Sequence, residues 1–73
     1  MEENTVCKKV LKEIAVRSIM KKEELVEFLK NDTENPQDLF RAVAQSLSMQ
    51  GFIQYVNEIG AFVITRKGLK VVE

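Results

Sequence analysis

Side chains able to do covalent or metal chemistry are few in this chain, which holds no histidine and a single cysteine, Cys7. Ser46 and Ser48 have no imidazole to take a proton, and Cys7 has none to make it a thiolate. The common serine and cysteine triads are therefore excluded. Zinc sites need several cysteine or histidine ligands, and one is present. Asp32, Glu34 and Asp38 lie close together without the spacing of a calcium loop, and the plainer reading is an acidic connector. Lys67-Gly68 lacks the rest of a phosphate-binding loop. What remains is a set of amides, hydroxyls and cations suited to binding. The expectation is a protein that is not an enzyme and uses no cofactor and no metal.

Composition sets the bounds within which those groups must be positioned. The 73 residues are 45% hydrophobic and 30% charged, an ordinary globular balance for one compact domain over residues 1–73. A chain of this size buries only about 60% of its unfolded surface, so its core has little margin. Eleven basic and eleven acidic residues cancel, which removes any bulk attraction toward phosphate. The cancellation is uneven along the chain. Six basic residues face three acidic ones from Met1 to Lys22, one faces six from Glu23 to Asp38, and four face two from Leu39 onward. Folding either gathers the basic start and end into one positive face or leaves them as ordinary solvated faces. A lone cysteine, no long apolar run and no signal-peptide pattern together point to a soluble, cytoplasmic module with no membrane partner.

Periodicity predicts an α+β chain of three helices and a hairpin. The first helix spans about Thr5 to Ala15, with Val6, Val10, Leu11, Ile14 and Ala15 on one side and Asn4 or Thr5 as its cap. Val16 to Met20 is a short extended connection, and Ser18 to Met20 offers a third strand. A second helix covers Lys22 to Lys30, led by Glu23 and Glu24 and turned inward through Leu25, Val26, Phe28 and Leu29. Asn31 to Asn35 forms a polar connector. Asn35-Pro36-Gln37-Asp38 starts the third helix with a capping amide and a proline at the first position. That helix runs to Gln50, buries Phe40, Val43, Ala44 and Leu47, and ends where Gly51 accepts a left-handed conformation. The period then falls to two. Phe52 to Val56 and Ala61 to Thr65 read as antiparallel strands joined through Asn57-Glu58-Ile59-Gly60. The tail from Arg66 to Glu73 reads as a final turn or short strand.

In this order the residues resemble the winged helix-turn-helix superfamily, without selecting one family inside it. Leu47-Ser48-Met49-Gln50-Gly51-Phe52-Ile53 is similar to the end of a recognition helix running into a wing. Glu24 to Leu29 resembles the supporting helix, and Ile64-Thr65-Arg66-Lys67-Gly68 resembles the Thr-x-x-Gly that follows the second wing strand. The resemblance implies a small winged helix of order α1-β1-α2-α3-β2-β3 whose third helix enters the major groove of duplex DNA. Arg41 would then fork onto guanine and Gln37 or Gln45 would pair with adenine, with Ser48 on the same exposed side. Phosphate contacts would fall to Lys21, Lys22, Arg66 and Lys67, with Asn57 at the wing.

Charge argues for a weak interaction. The third helix carries one cation and one anion, and Glu58 and Ile59 occupy the tip of the wing. About three or four phosphate contacts per chain are too few for strong affinity, so DNA binding calls for a homodimer. Phe28, Leu39, Val43, Met49, Ile59, Val71 and Val72 are more apolar residues than so small a core can hold; for each one core packing is the plainer reading, and those left over would supply the interface. The expected function is a small transcriptional regulator that binds double-stranded DNA. The alternative is a protein-interaction module, an assembly adaptor or complex subunit, using the same surface.

Overall fold

The structure, a computed structural model, describes residues 3–73, with side chains from residue 5 onward. Seven elements follow one another: α1 (Glu3–Arg17), β1 (Ile19–Lys21), α2 (Lys22–Leu29), α3 (Pro36–Met49), β2 (Ile53–Val56), β3 (Ala61–Ile64) and α4 (Arg66–Val72). The strands form one antiparallel sheet in the order β1-β3-β2. The fold is thus a small α+β domain of four helices and three strands, with a helical turn added beyond the six expected elements.

The core forms where the apolar stripes of the helices meet one face of the sheet. Val6, Val10, Leu11 and Ile14 of α1 are buried against Leu25 and Leu29 of α2 and Phe40, Val43 and Leu47 of α3. Register places Met20, Phe62 and Tyr55 in one row across the three strands, with Ile53 opposite Ile64 in the next. Both rows turn toward the core, and Met20, Phe62 and Ile53 close it. Cys7 of α1 is buried with them.

Several local expectations are corrected. α1 starts at Glu3, so Thr5 lies inside the helix instead of capping it; the side chain of Asn4 falls outside the described residues. The helix also continues through Val16 to Arg17, because Arg17 donates to the Glu13 carboxylate one turn back (2.7 Å) and to Glu24 on α2 (3.4 Å). Ser18 then breaks it in a left-handed conformation at φ 71°. Asn35 occupies the cap position of α3 without using its amide. Its carbonyl accepts from Leu39 N–H (3.1 Å), while its own N–H donates to the Thr33 hydroxyl (3.1 Å).

The end of α3 follows its glycine. Gly51 sits at φ +78°, its N–H donates to the Ser48 carbonyl and the Phe52 N–H donates to Leu47 (both 3.0 Å). These are the two bonds of a Schellman termination, and they turn the chain directly into β2. Thr65 secures the other end of the hairpin. Its N–H donates to the Phe52 carbonyl (2.9 Å), its hydroxyl donates to the Gly51 carbonyl (2.6 Å), and the same oxygen accepts from Gly68 N–H (3.1 Å). That last bond caps α4, the helix that replaces the expected turn or strand.

Candidate nucleic-acid interface

α3 is buried on one side only. With Phe40, Val43 and Leu47 turned inward, Gln37, Arg41, Gln45 and Ser48 fall on an exposed stripe at spacings of four, four and three. Among the described residues none of these four side chains has a hydrogen-bond or ion-pair partner. Gln50, just past the helix, behaves differently: its amide donates to the carbonyl (3.2 Å) and hydroxyl (3.1 Å) of Ser46. The stripe therefore offers an uncommitted guanidinium, two amides and a hydroxyl to whatever lies against it.

The predicted cations divide between the two ends of this helix. Lys22, in the first turn of α2, holds its ammonium 5.9 Å from the centroid of the Phe40 ring. With Arg41, Phe40, Ala44, Tyr55 and Phe62 it lines a shallow cleft of about 260 Å³ between α3 and the sheet. Lys67 lies at the far end, its ammonium 5.6 Å from the Phe52 ring and its stem beside Gly51. Ten residues separate Arg41 from Gly51, about 15 Å along a helix axis. Arg66 opens α4 next to Lys67, Lys21 ends β1 and Asn57 lies in the hairpin turn, all three exposed. The fold brings Lys22 to Arg41 and keeps Arg66 and Lys67 apart from them.

Acids reach part of the surface. Gln37 shares a shallow groove with Lys22, Glu23, Val26 and Glu27 of α2 and with Lys30 just past it, so the start of the stripe faces two carboxylates. The basic start and end of the chain do meet, because α1 packs on α4. Their joint charge is smaller than the sequence count. Lys9 is spent on Asp32 and Arg17 on Glu13 and Glu24, which leaves Lys8 and Lys12 of α1 and Arg66, Lys67 and Lys70 of α4 without an ion pair among the described residues.

Tyr55 is the site residue that the pattern of charges and amides does not point to. Its ring leans on Phe62 with centroids 4.9 Å apart at 57°, and the residue remains 43% exposed. Strand alternation alone pairs it with Ile53 as a core residue. The register that sets it across from Phe62, at the mouth of the cleft, emerges only from the pairing of β2 with β3.

The apolar surplus also divides. Val43 belongs to the core, and Phe28, Leu39 and Val72 pack against it half-buried. Met49 (79%), Ile59 (49%) and Val71 (44%) stay exposed. Val71 borders a second groove of about 310 Å³ with Cys7, Lys8, Leu11, Leu47, Gln50 and Phe52. No helix among the described residues is long and apolar enough to cross a membrane. Comparison with protein families, with curated proteins and with solved structures finds no match for the chain.

Proposed function

We propose that this chain is a small winged-helix protein that binds double-stranded DNA as a homodimer and regulates transcription in the cytoplasm. One observation carries the reading: a polar stripe on α3, uncommitted among the described residues, flanked at one end by Lys22 and at the other by Lys67. A helix placed this way can set Arg41, Gln45 and Ser48 against base edges in a major groove. Cations at both ends then reach the phosphates on either side. The sheet order β1-β3-β2, with a hairpin directly after α3, supports the winged-helix assignment.

Two copies are part of the proposal for an electrostatic reason. Lys22 and Arg41 lie by one end of the stripe and Lys67 by the other, with Lys21 and Arg66 next to them in the chain, and Glu23 and Glu27 offset some of this charge. Doubling the contacts doubles the counterions released, and a two-fold pair reads two half-sites. Exposed Val71 beside the groove between α1, α3 and α4 is the apolar surface that supports self-association.

The test is anisotropy of a labelled random-sequence duplex against the protein over a range of salt, with oligomeric state measured by sedimentation. Binding should weaken steeply as salt rises, Arg41→Ala and Lys67→Ala should each lower the affinity, and Lys67→Ala should flatten the salt slope by about one contact per chain. A folded protein that leaves the duplex untouched at low salt removes the DNA reading. The exposed Ile59 at the hairpin tip would then favour a protein partner on the same surface.

A further inference from the structure

The cleft beside α3 narrows the kind of nucleic acid, given that the chain binds nucleic acid at all. Its floor is aromatic. Phe40 meets Phe62 edge-on, with centroids 5.9 Å apart at 70°, and Tyr55 also leans on Phe62. Phe40 and Phe62 are buried, whereas Tyr55 keeps much of its ring in solvent. The rims are cationic, with Lys22 over Phe40 and Arg41 on the α3 side. None of the six lining residues is acidic. A ring-lined floor between two cations suits a flat group that carries an oxyanion, and a nucleotide supplies both in its base and its phosphate.

Shape selects a strand over a free small molecule. Sites for small molecules bury most of the ligand's surface, and this cleft is shallow and open. A polymer makes up the deficit with contacts elsewhere. Arg41 belongs to both the cleft and the α3 stripe, so a strand held on the stripe passes the cleft. Bases within a duplex have their faces covered by their neighbours and cannot enter it. We propose that this cleft takes up one unpaired base of a DNA strand, stacked on Tyr55 with its phosphate between Lys22 and Arg41. The chain then prefers DNA with a single-stranded end to blunt duplex. Base stacking tolerates any sequence and adds binding that does not depend on the number of cations, which this chain has few of.

Tyr55 is the only tyrosine, and the chain has no tryptophan, so intrinsic emission reports on this one ring. The whole chain is titrated with an eight-residue oligothymidylate, an abasic strand of equal length, a blunt duplex, and the same duplex with a four-thymidine overhang. The oligothymidylate should quench Tyr55 emission and the abasic strand should not. The overhang should tighten duplex binding about fivefold or more, the scale of one stacked base. Tyr55→Phe should keep that gain by anisotropy, and Tyr55→Leu should lose it. The quenching comparison uses the unaltered chain, so it holds even if Tyr55→Leu is poorly folded.

If blunt duplex binds and the overhang adds nothing, the cleft proposal falls and the duplex reading stands. If blunt duplex does not bind while the oligothymidylate quenches, the duplex reading falls and the cleft stands. Equal quenching by the abasic strand overturns the cleft proposal. So does quenching by an acidic, phenylalanine-containing peptide alone, which would give the cleft to a protein partner.

Discussion

Gly68 and Lys9 show how much a single position can hold in a chain this short. A Cβ on Gly68 would overlap the Phe52 carbonyl oxygen and lie 2.9 Å from Ile64 Cγ1. Backbone is the obstacle there, and the Thr65–Gly68 hydrogen bond fixes it in place. Gly68→Ala should therefore cost about 2–3 kcal/mol in urea unfolding, at the upper end for overpacking by one methyl. An unchanged midpoint would mean that α4 is not seated on the hairpin. Lys9 ties α1 to the connector before α3. Its ammonium donates to both oxygens of Asp32 (3.1 and 3.3 Å) and lies 5.7 Å from the Phe28 centroid. The Asp32 side chain is only 4% exposed, so Lys9→Ala leaves a shielded carboxylate without its cation. A loss of about 1–3 kcal/mol is expected, more than exposed ion pairs give. The exposed i,i+3 pair Lys30–Glu27 (2.8 Å) is the control, and Lys30→Ala should move the midpoint very little.

At the scale of elements, what could be read from the chain divides along a physical line. α2, α3 and the hairpin were legible because their signals are local: a proline at the first position of α3, a glycine at φ +78° after it, and a period that drops to two from Phe52. The ends of α1 were not, since Arg17 is held by Glu24, a residue of another element. α4 was missed because Arg66 to Val72 is short, and its cap doubles as a bond to Gly51, fourteen residues back in the chain. The exposed stripe of α3 was readable from spacing alone. Tyr55 was not, because its place depends on register with Phe62. Ser18 gives a direct check of the α1–β1 junction. A non-glycine residue at φ 71° costs about 1–2 kcal/mol, partly offset in glycine by its greater freedom when unfolded. Ser18→Gly should raise Tm by roughly 3 °C. A fall in Tm would show that the helix ends elsewhere.

For the molecule as a whole, charge placement matters more than its sum. The neutral total hides cations at both ends of α3 and others, Lys8, Lys12 and Lys70, on α1 and α4. Acids from α1, α2 and the connector neutralise Lys9 and Arg17, and those of α2 approach Gln37. If the chain binds DNA as proposed, such an arrangement would give one copy a weak and salt-sensitive hold, and pairing of two copies would be the source of useful affinity. Duplex binding should accordingly follow protein concentration cooperatively, with the sedimenting species doubling in mass over the same range. A single binding isotherm from a protein that stays monomeric throughout would contradict the dimer. The central claim, that the wet side of α3 is where DNA lies, is tested most directly by backbone amide resonances recorded with and without a short duplex at low salt. Shifts gathered on Gln37, Arg41, Gln45 and Ser48, with smaller ones at Lys22 and Lys67, are the predicted result. Shifts confined to α1 and α4, with the α3 stripe unmoved, would contradict it.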